Sequence, residues 1–274
     1  MSDPSPDDAE KGCDTPSAGP APGAGAPRST LGTKPPGTIS EEQASQWVRS
    51  MFEDVAPKYD FLNHLLSFNV DRLWRKRLLR TVLPILDKPG AKILDLCCGT
   101  GDVLLELQQA TKNAVLGADF CHPMLVTARD KIGRRRFRSA VFGGDALTLP
   151  LQDESLDLVT IAFGFRNLAN YEAGLTELHR VLKQGGLLAI LEFSHPRRPF
   201  VKASYGLYSK VFLPAIGGLF SGSREAYEYL PASIQSFPRA ERLRDMMSKA
   251  GFANARFELL SGGIAALHAA EKTS

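Results

Sequence analysis

The sequence predicts an α/β protein built on a doubly wound, mostly parallel sheet that ends in an antiparallel pair. Three observations predict it. From Lys92 to Asp102, KILDLCCGTGD reads as a short buried strand (Ile93, Leu94, Leu96) that ends in an acid and breaks into a glycine turn. A helix pattern, Val103, Leu104, Leu107, follows at once. From Lys92 to Phe193, apolar runs of strand length alternate with amphipathic helical runs, as parallel strands joined by crossover helices require. Arg256–Leu260 and Ile264–Glu271, across Ser261, Gly262 and Gly263, then read as a terminal hairpin.

A chain of 274 residues with 43% hydrophobic residues can bury one sizeable core of this kind with extra segments around it. The net charge of +3 neither demands nor excludes an anionic partner. Cys13, Cys97, Cys98 and Cys121 have no C-x-x-C spacing, so neither a disulfide framework nor a zinc site is expected. They read as small packing residues in a reducing cytosol. No His/Asp/Glu set has metal spacing, so no metal is expected. No run approaches the roughly 20 apolar residues of a membrane span, and the N-terminus lacks the apolar core of a secretory signal. A cytoplasmic protein is expected.

Residues 1–38 are rich in Pro, Gly, Ala, Ser and Thr, with almost no large apolar residue. They read as a disordered tail without chemistry. The domain is expected over 39–274. Ser40, with Gln43 three residues on, is an N-cap with its capping-box partner. Trp47, Val48, Met51 and Phe52 continue at helical spacing, and Pro57 interrupts that helix. A longer helix is expected over Arg72–Leu86, with Arg72, Arg75, Lys76, Arg77 and Arg80 between apolar positions. The segment 39–90 thus reads as a helical cap, its bases either touching anionic lipid or forming a solvated face.

Strand two, Ala114–Asp119, ends in an acid close to the spacing at which a carboxylate accepts two hydrogen bonds from a ribose diol. Lys131–Arg138, KIGRRRFR, reads as a solvated basic loop, and no nucleic-acid partner is expected. Strand three ends at Asp145, placed to bind an adenine amino group, with the Ala146 N–H beside it for a ring nitrogen. Strand four, Asp157–Phe163, is apolar on both faces, as in a sheet covered by helices, and runs into Gly164–Asn167. A helix over Ala173–Leu182 stops at Gly185 and Gly186, and Leu187–Phe193 is strand five. The aromatic-rich stretch 194–238 reads as a substrate-side insertion that packs on the core or walls an apolar pocket. Arg239–Ala250 is a last helix before the hairpin.

The turn itself, D-x-x-x-G-x-G, is neither the G-x-G-x-x-G of dinucleotide binders nor a P-loop. It resembles motif I of class I S-adenosylmethionine (AdoMet) methyltransferases, in which a ligand lies against the glycine backbone and helix N-terminus. Five parallel strands and an antiparallel pair are the architecture of that class. Other segments are more particular: VAPKYDFLN (Val55–Asn63), FGFRN (Phe163–Asn167) and YLPASIQSFP (Tyr229–Pro238). With DRLWR, GDALTLP, RVLKQGG and EFSHP, they resemble the C-methyltransferases of menaquinone and ubiquinone biosynthesis from about residue 40 to the C-terminus.

The resemblance implies AdoMet as methyl donor, held by Asp95, Gly99, Thr100, Gly101, Asp119, Asp145 and Ala146. It implies an isoprenoid quinol as substrate, demethylmenaquinol being expected, with the benzoquinol of ubiquinone biosynthesis or a non-catalytic scaffold as alternatives. It is compatible with transient contact at the inner membrane surface and with a homodimer. Many relatives carry Ser where this chain has Ala162. An oxidised quinone ring is electron-poor, whereas a hydroquinone losing an O–H proton pushes electron density onto the ring carbon. The site must therefore take up or stabilise that charge. Tyr59, Asp60, Arg166 and Asn167 are the catalytic candidates; Arg166, always cationic, cannot be the base. Its alternative role is to cap the helix after strand four or to pair with an acid. His195, just past strand five, is a further candidate base, and His179 and His268 read as packing residues.

Overall fold

A computed structural model describes residues 31–56, 69–196 and 224–273, with the side chains of 224–227 left aside. The sheet has seven strands: β1 (Ile93–Leu96), β2 (Val115–Asp119), β3 (Ala140–Gly143), β4 (Leu156–Ala162), β5 (Leu182–Phe193), β6 (Phe252–Leu260) and β7 (Ala265–Lys272). Their order is β3-β2-β1-β4-β5-β7-β6. The first five run parallel, and β7 pairs antiparallel with both β5 and β6. The order reverses beside β1, so the carboxyl ends of β1, β2 and β4 face the crevice where open α/β sheets bind ligands.

The helices are α1 (Glu41–Val55), α2 (Asp71–Leu86), α3 (Asp102–Ala110), α4 (His122–Arg135), α5 (Tyr171–Val181), α6 (Arg224–Ser236) and α7 (Ala240–Lys249). Strand side chains alternate between faces. Leu94, Leu96, Val159 and Ile161 pack with Leu175, Leu178, Leu243 and Met247 of α5 and α7. Ile93 and Leu158 pack on the other face with Leu78, Val82, Leu104 and Leu107 of α2 and α3. The apolar pattern of β1 is therefore that of a strand covered on both sides.

Ser40 caps α1, accepting from the Gln43 amide at 3.2 Å, and the Gln43 side chain reaches back to the Ile39 N–H at 2.9 Å. Several boundaries differ from expectation; β3 ends at Gly143 rather than Asp145, and β6 starts at Phe252 rather than Arg256. Asn170 caps α5 by accepting from Ala173 N, so the helix starts at Tyr171. Leu182 is already extended and pairs with Leu156, so β5 starts there; Lys183–Gly186 bulge out before pairing resumes at Leu187. The expected basic loop at 131–138 is mostly helix, because α4 continues to Arg135 and ends on Arg136 in the left-handed region (φ 53°). Of the expected tail at 1–38, the described residues 31–38 differ too: Thr33 is buried, and its N–H bonds Leu168 O at 2.8 Å.

Arg75 of α2 is not on a solvated face. It pairs with Asp71 and, at 2.9 Å, with Glu106 of α3, while Asp102 lies 3.8 Å away and receives Lys131 of α4 at 3.0 Å. The cap helix is thus tied to the helix that follows the glycine turn.

Candidate functional site

The site grows from the ends of four adjacent strands. After β1 the chain turns through Cys97 (φ 54°), Gly99 (φ 53°) and Gly101 (φ 88°) into α3. A Cβ on Gly101 would sit 3.2 Å from the Ala128 Cβ. The missing side chain there lets α4 approach the turn rather than clearing space for a ligand, which corrects the sequence-based reason for that glycine. The N–H of Gly99 donates to Asp119 Oδ2 at 2.9 Å, and the Cys121 N–H donates to Oδ1 at 2.9 Å. Asp119 therefore shapes the glycine turn and the entry to α4. Burial raises its pKa, opposed by those amides and by the charge of Arg49.

Asp95 is 1% exposed. Its Oδ1 accepts from the Thr160 hydroxyl at 2.7 Å, while Oδ2 has no hydrogen-bond partner among the described residues. Burial raises its pKa to about 7, opposed by the Thr160 hydroxyl and the Leu104 amide. An orphan carboxylate oxygen under a glycine turn is a group waiting for a cation or donor.

An open pocket lies along these strand ends. Its wall includes Gly99 and Cys97 after β1, Asp119 and Phe120 after β2, Asp145, Ala146 and Leu147 after β3, and Ala162–Gly164 after β4. Ser45 and Phe52 of α1, with Asn167 and Leu168, complete it. The pocket is acidic toward β2 and β3 and apolar toward β4. Burial and the neighbouring acids hold the Cys97 thiol well above its usual range. Asp145 also closes its own turn, its Oδ1 accepting from Leu147 N at 2.9 Å.

Of the expected site residues, Gly99, Asp119, Asp145, Ala146 and Asn167 line this pocket; Asp95, Thr100, Gly101 and Arg166 do not. The buried Thr100 hydroxyl receives Lys131 Nζ at 3.2 Å. Tyr59 and Asp60 lie outside the described residues. His195 bonds the Gln235 carbonyl at 3.3 Å. His179 stacks edge-on against Phe252, and the buried His268 bonds the Ala240 carbonyl at 2.9 Å.

Arg166 sits in a short 3-10 turn, Phe165–Asn167, just past β4. Its guanidinium meets Glu192 Oε1 at 2.9 Å and the Phe163 carbonyl, and stands 5.3 Å from the centre of the Phe193 ring. Its own N–H donates to Glu192 Oε2 at 3.1 Å. These contacts are those of the ion-pair alternative. The guanidinium fastens the turn to β5, and the turn presents the next residue, Asn167, to the pocket. Phe163 (φ 59°) lines the pocket from a backbone region costly for a bulky side chain, held there by contacts with Phe193 (4.9 Å) and Trp74 (6.0 Å).

Composition alone did not single out Thr33, Ser45 or Tyr229 at this site. Tyr229 opens the particular segment YLPASIQSFP, which was the available signal. Its hydroxyl donates to Asn167 Oδ1 at 3.0 Å.

A seven-stranded sheet of this order, with an acid-lined pocket at its switch point, defines a class I methyltransferase. Residues 39–272 match the model of the ubiE/COQ5 methyltransferase family, and the chain belongs to that family. It is 47% identical over 223 residues to the demethylmenaquinone methyltransferase of Thermus thermophilus, covering 81% of this chain and 100% of that one. The Staphylococcus aureus protein of the same name is 41% identical, over 81% of this chain and 91% of that one. A solved Thermotoga maritima structure, described as an S-adenosylmethionine-dependent methyltransferase and possible histamine N-methyltransferase, shares the fold. It aligns with a TM-score of 0.56 at 22% identity, over 82% of this chain and 99% of that one.

The donor set suits AdoMet. A buried carboxylate oxygen without a partner, a glycine turn opening into a helix, and acids after β2 and β3 offer what an ammonium, a carboxylate and a nucleoside require.

Proposed function

We propose that this enzyme methylates the unsubstituted ring carbon of demethylmenaquinol, giving menaquinol. Bound AdoMet supplies a sulfonium-activated methyl group. Asp95 would hold its amino end, Asp119 its ribose hydroxyls, and Asp145 with the Ala146 N–H its adenine. The protein's remaining task is to hold an activated ring carbon in line and keep water out. Phe52, Phe163 and Leu168 offer the ring an apolar wall, and Asn167 offers it the polar contact. Loss of an O–H proton makes the ring carbon nucleophilic. Tyr59 and Asp60 are the candidates to take that proton, and Asn167 to stabilise the resulting oxyanion. Arg166 serves as a positioning residue for Asn167. The observation that carries this is the single pocket joining strand-end acids to Asn167 and an apolar wall.

The test is incubation with labelled AdoMet and either reduced demethylmenaquinone or the reduced ubiquinone precursor. Label is expected in the naphthoquinol. Label only in the benzoquinol would move the enzyme to the other pathway, and label in neither would defeat the proposal.

No helix among the described residues is long and apolar enough to cross a membrane. We further propose that the enzyme works from the cytoplasm on the inner membrane surface. The outer face of α2 supports this, with Leu73 64% and Leu83 42% exposed among the exposed Arg72, Lys76 and Arg80. Binding to anionic vesicles that weakens with salt is expected; equal indifference to anionic and neutral vesicles would count against it.

A further inference from the structure

The family model begins at residue 39, yet the chain just before it touches the site. Leu31 O accepts from the Tyr171 N–H at 2.8 Å, and Thr33 N–H donates to Leu168 O at 2.8 Å. Residues 31–33 therefore form a short arm laid on the chain between the 3-10 turn and α5, the segment that carries pocket residues Leu168 and Ala169. The approach is close: a Cβ on Gly32 would fall 1.7 Å from the Ala169 carbonyl oxygen, so only glycine fits.

Thr33, 4% exposed, places its hydroxyl 2.7 Å from that of Tyr229. Tyr229 in turn donates to Asn167 Oδ1 and packs 5.1 Å from Trp47 of α1. A phenol has one proton, and here it goes to the Asn167 carbonyl. The Thr33 hydroxyl must then be the donor to Tyr229. The chain of bonds has one direction, Thr33 to Tyr229 to Asn167. With its carbonyl taken, Asn167 has its NH₂ left for the pocket it lines.

We propose that Thr33 and Tyr229 are positioning residues for Asn167, and that the 31–33 arm is a working part of the active site. The arm sets the Asn167 amide so that it presents donors to an oxyanion developing on the substrate ring. This rests on the quinol chemistry proposed above. Removing a donor that touches a developing oxyanion typically costs 10²–10³ in kcat. Loosening one at a further remove is expected to cost about tenfold.

The test uses the full chain carrying Thr33→Val, Tyr229→Phe, both together, Thr33→Ser, or Gly32→Ala. Thr33→Val and Tyr229→Phe should each lower kcat about tenfold, with the KM for AdoMet unchanged. The half-maximal pH of kcat should rise, because a poorer donor stabilises the oxyanion less. The double variant should be no slower than Tyr229→Phe, and Thr33→Ser should restore kcat. Gly32→Ala, which removes no functional group, should lower kcat and speed amide hydrogen exchange at Thr33 and Tyr171. Wild-type kcat in Thr33→Val, or losses that multiply in the double variant, would overturn the proposal. If even the unmutated enzyme methylates no quinol, the substrate assignment fails and exchange still judges the arm. Faster exchange in Gly32→Ala upholds the docking, and unchanged exchange overturns it.

Discussion

Two strands of the sheet end in a fully buried carboxylate, and they are treated in opposite ways. Glu192, at the end of β5, is 0% exposed. It accepts from the Arg166 guanidinium at 2.9 Å, the Arg166 N–H at 3.1 Å and the Phe193 N–H at 2.8 Å. Asp95, at the end of β1, is 1% exposed; the Thr160 hydroxyl donates to Oδ1, the Leu104 amide favours its charged form, and Oδ2 has no hydrogen-bond partner among the described residues. A buried charge that is paired and hydrogen-bonded is a fixed joint, whereas one left short is destabilised until something arrives. The Glu192 carboxylate is finished by the protein itself; the Asp95 carboxylate leaves one oxygen for a ligand to complete. Arg166, whose residue type and place suggested catalysis, belongs to the finished end.

The largest expected effect breaks the finished end. Arg166→Ala leaves Glu192 buried without its cation and should cost about 3–5 kcal/mol in urea unfolding. Replacing both partners, Arg166→Met with Glu192→Leu, should recover most of it. An Arg166→Ala protein as stable as the parent but inactive would return the guanidinium to the chemistry and erase the contrast.

Asp119 lies between the two cases, since both its oxygens accept backbone N–H groups. Asp119→Ala orphans the Gly99 and Cys121 amides and should cost about 2 kcal/mol, with AdoMet binding by calorimetry reduced below detection. Retained affinity would show that the carboxylate merely shapes the turn.

Asp95→Asn sharpens the other end. The Asp95 carboxyl titrates near 3.8 when unfolded and about 7 when folded. Between those values the folded protein holds a proton that the unfolded chain has lost. Stability therefore falls as pH rises through the window, and the penalty is complete above it. The variant should stabilise the ligand-free protein at pH 8 and have little effect at pH 4. It should also weaken AdoMet binding. Destabilisation at pH 8 would mean that the β1 end is not short of partners.

The smallest effect is a control outside the site. Burial lowers the His268 pKa to about 4. As pH falls from about 6.5 to about 4, the unfolded chain is protonated first and stability is lost. His268→Gln should flatten that limb of the unfolding curve, and a steeper limb would be contrary to it.

The legible parts of the sequence were those with a local cause. Ser40 and Gln43 announced a cap because three residues separate a hydroxyl from the amide it serves. Gly99, Asp119 and Asp145 announced strand ends around one crevice, because a parallel sheet puts every carboxyl end on the same edge. The partners of Arg75, Arg166 and Thr33 were not legible, for one reason. These partners lie 31, 26 and 196 residues away, at Glu106, Glu192 and Tyr229, and no spacing rule reaches that far.

The sequence by itself determined the order of strands and helices, the acids at the strand ends and the family resemblance. Each rests on periodicity, on glycine's backbone freedom or on a run of neighbouring residues. Only the tertiary structure decided which charges are joints and which are left short. It also decided that Asn167 lines the pocket while Arg166 stands behind it, and that part of a Pro- and Gly-rich segment is laid against the site. Burial and long-range pairing set those outcomes, and both arise only once distant segments share one interior.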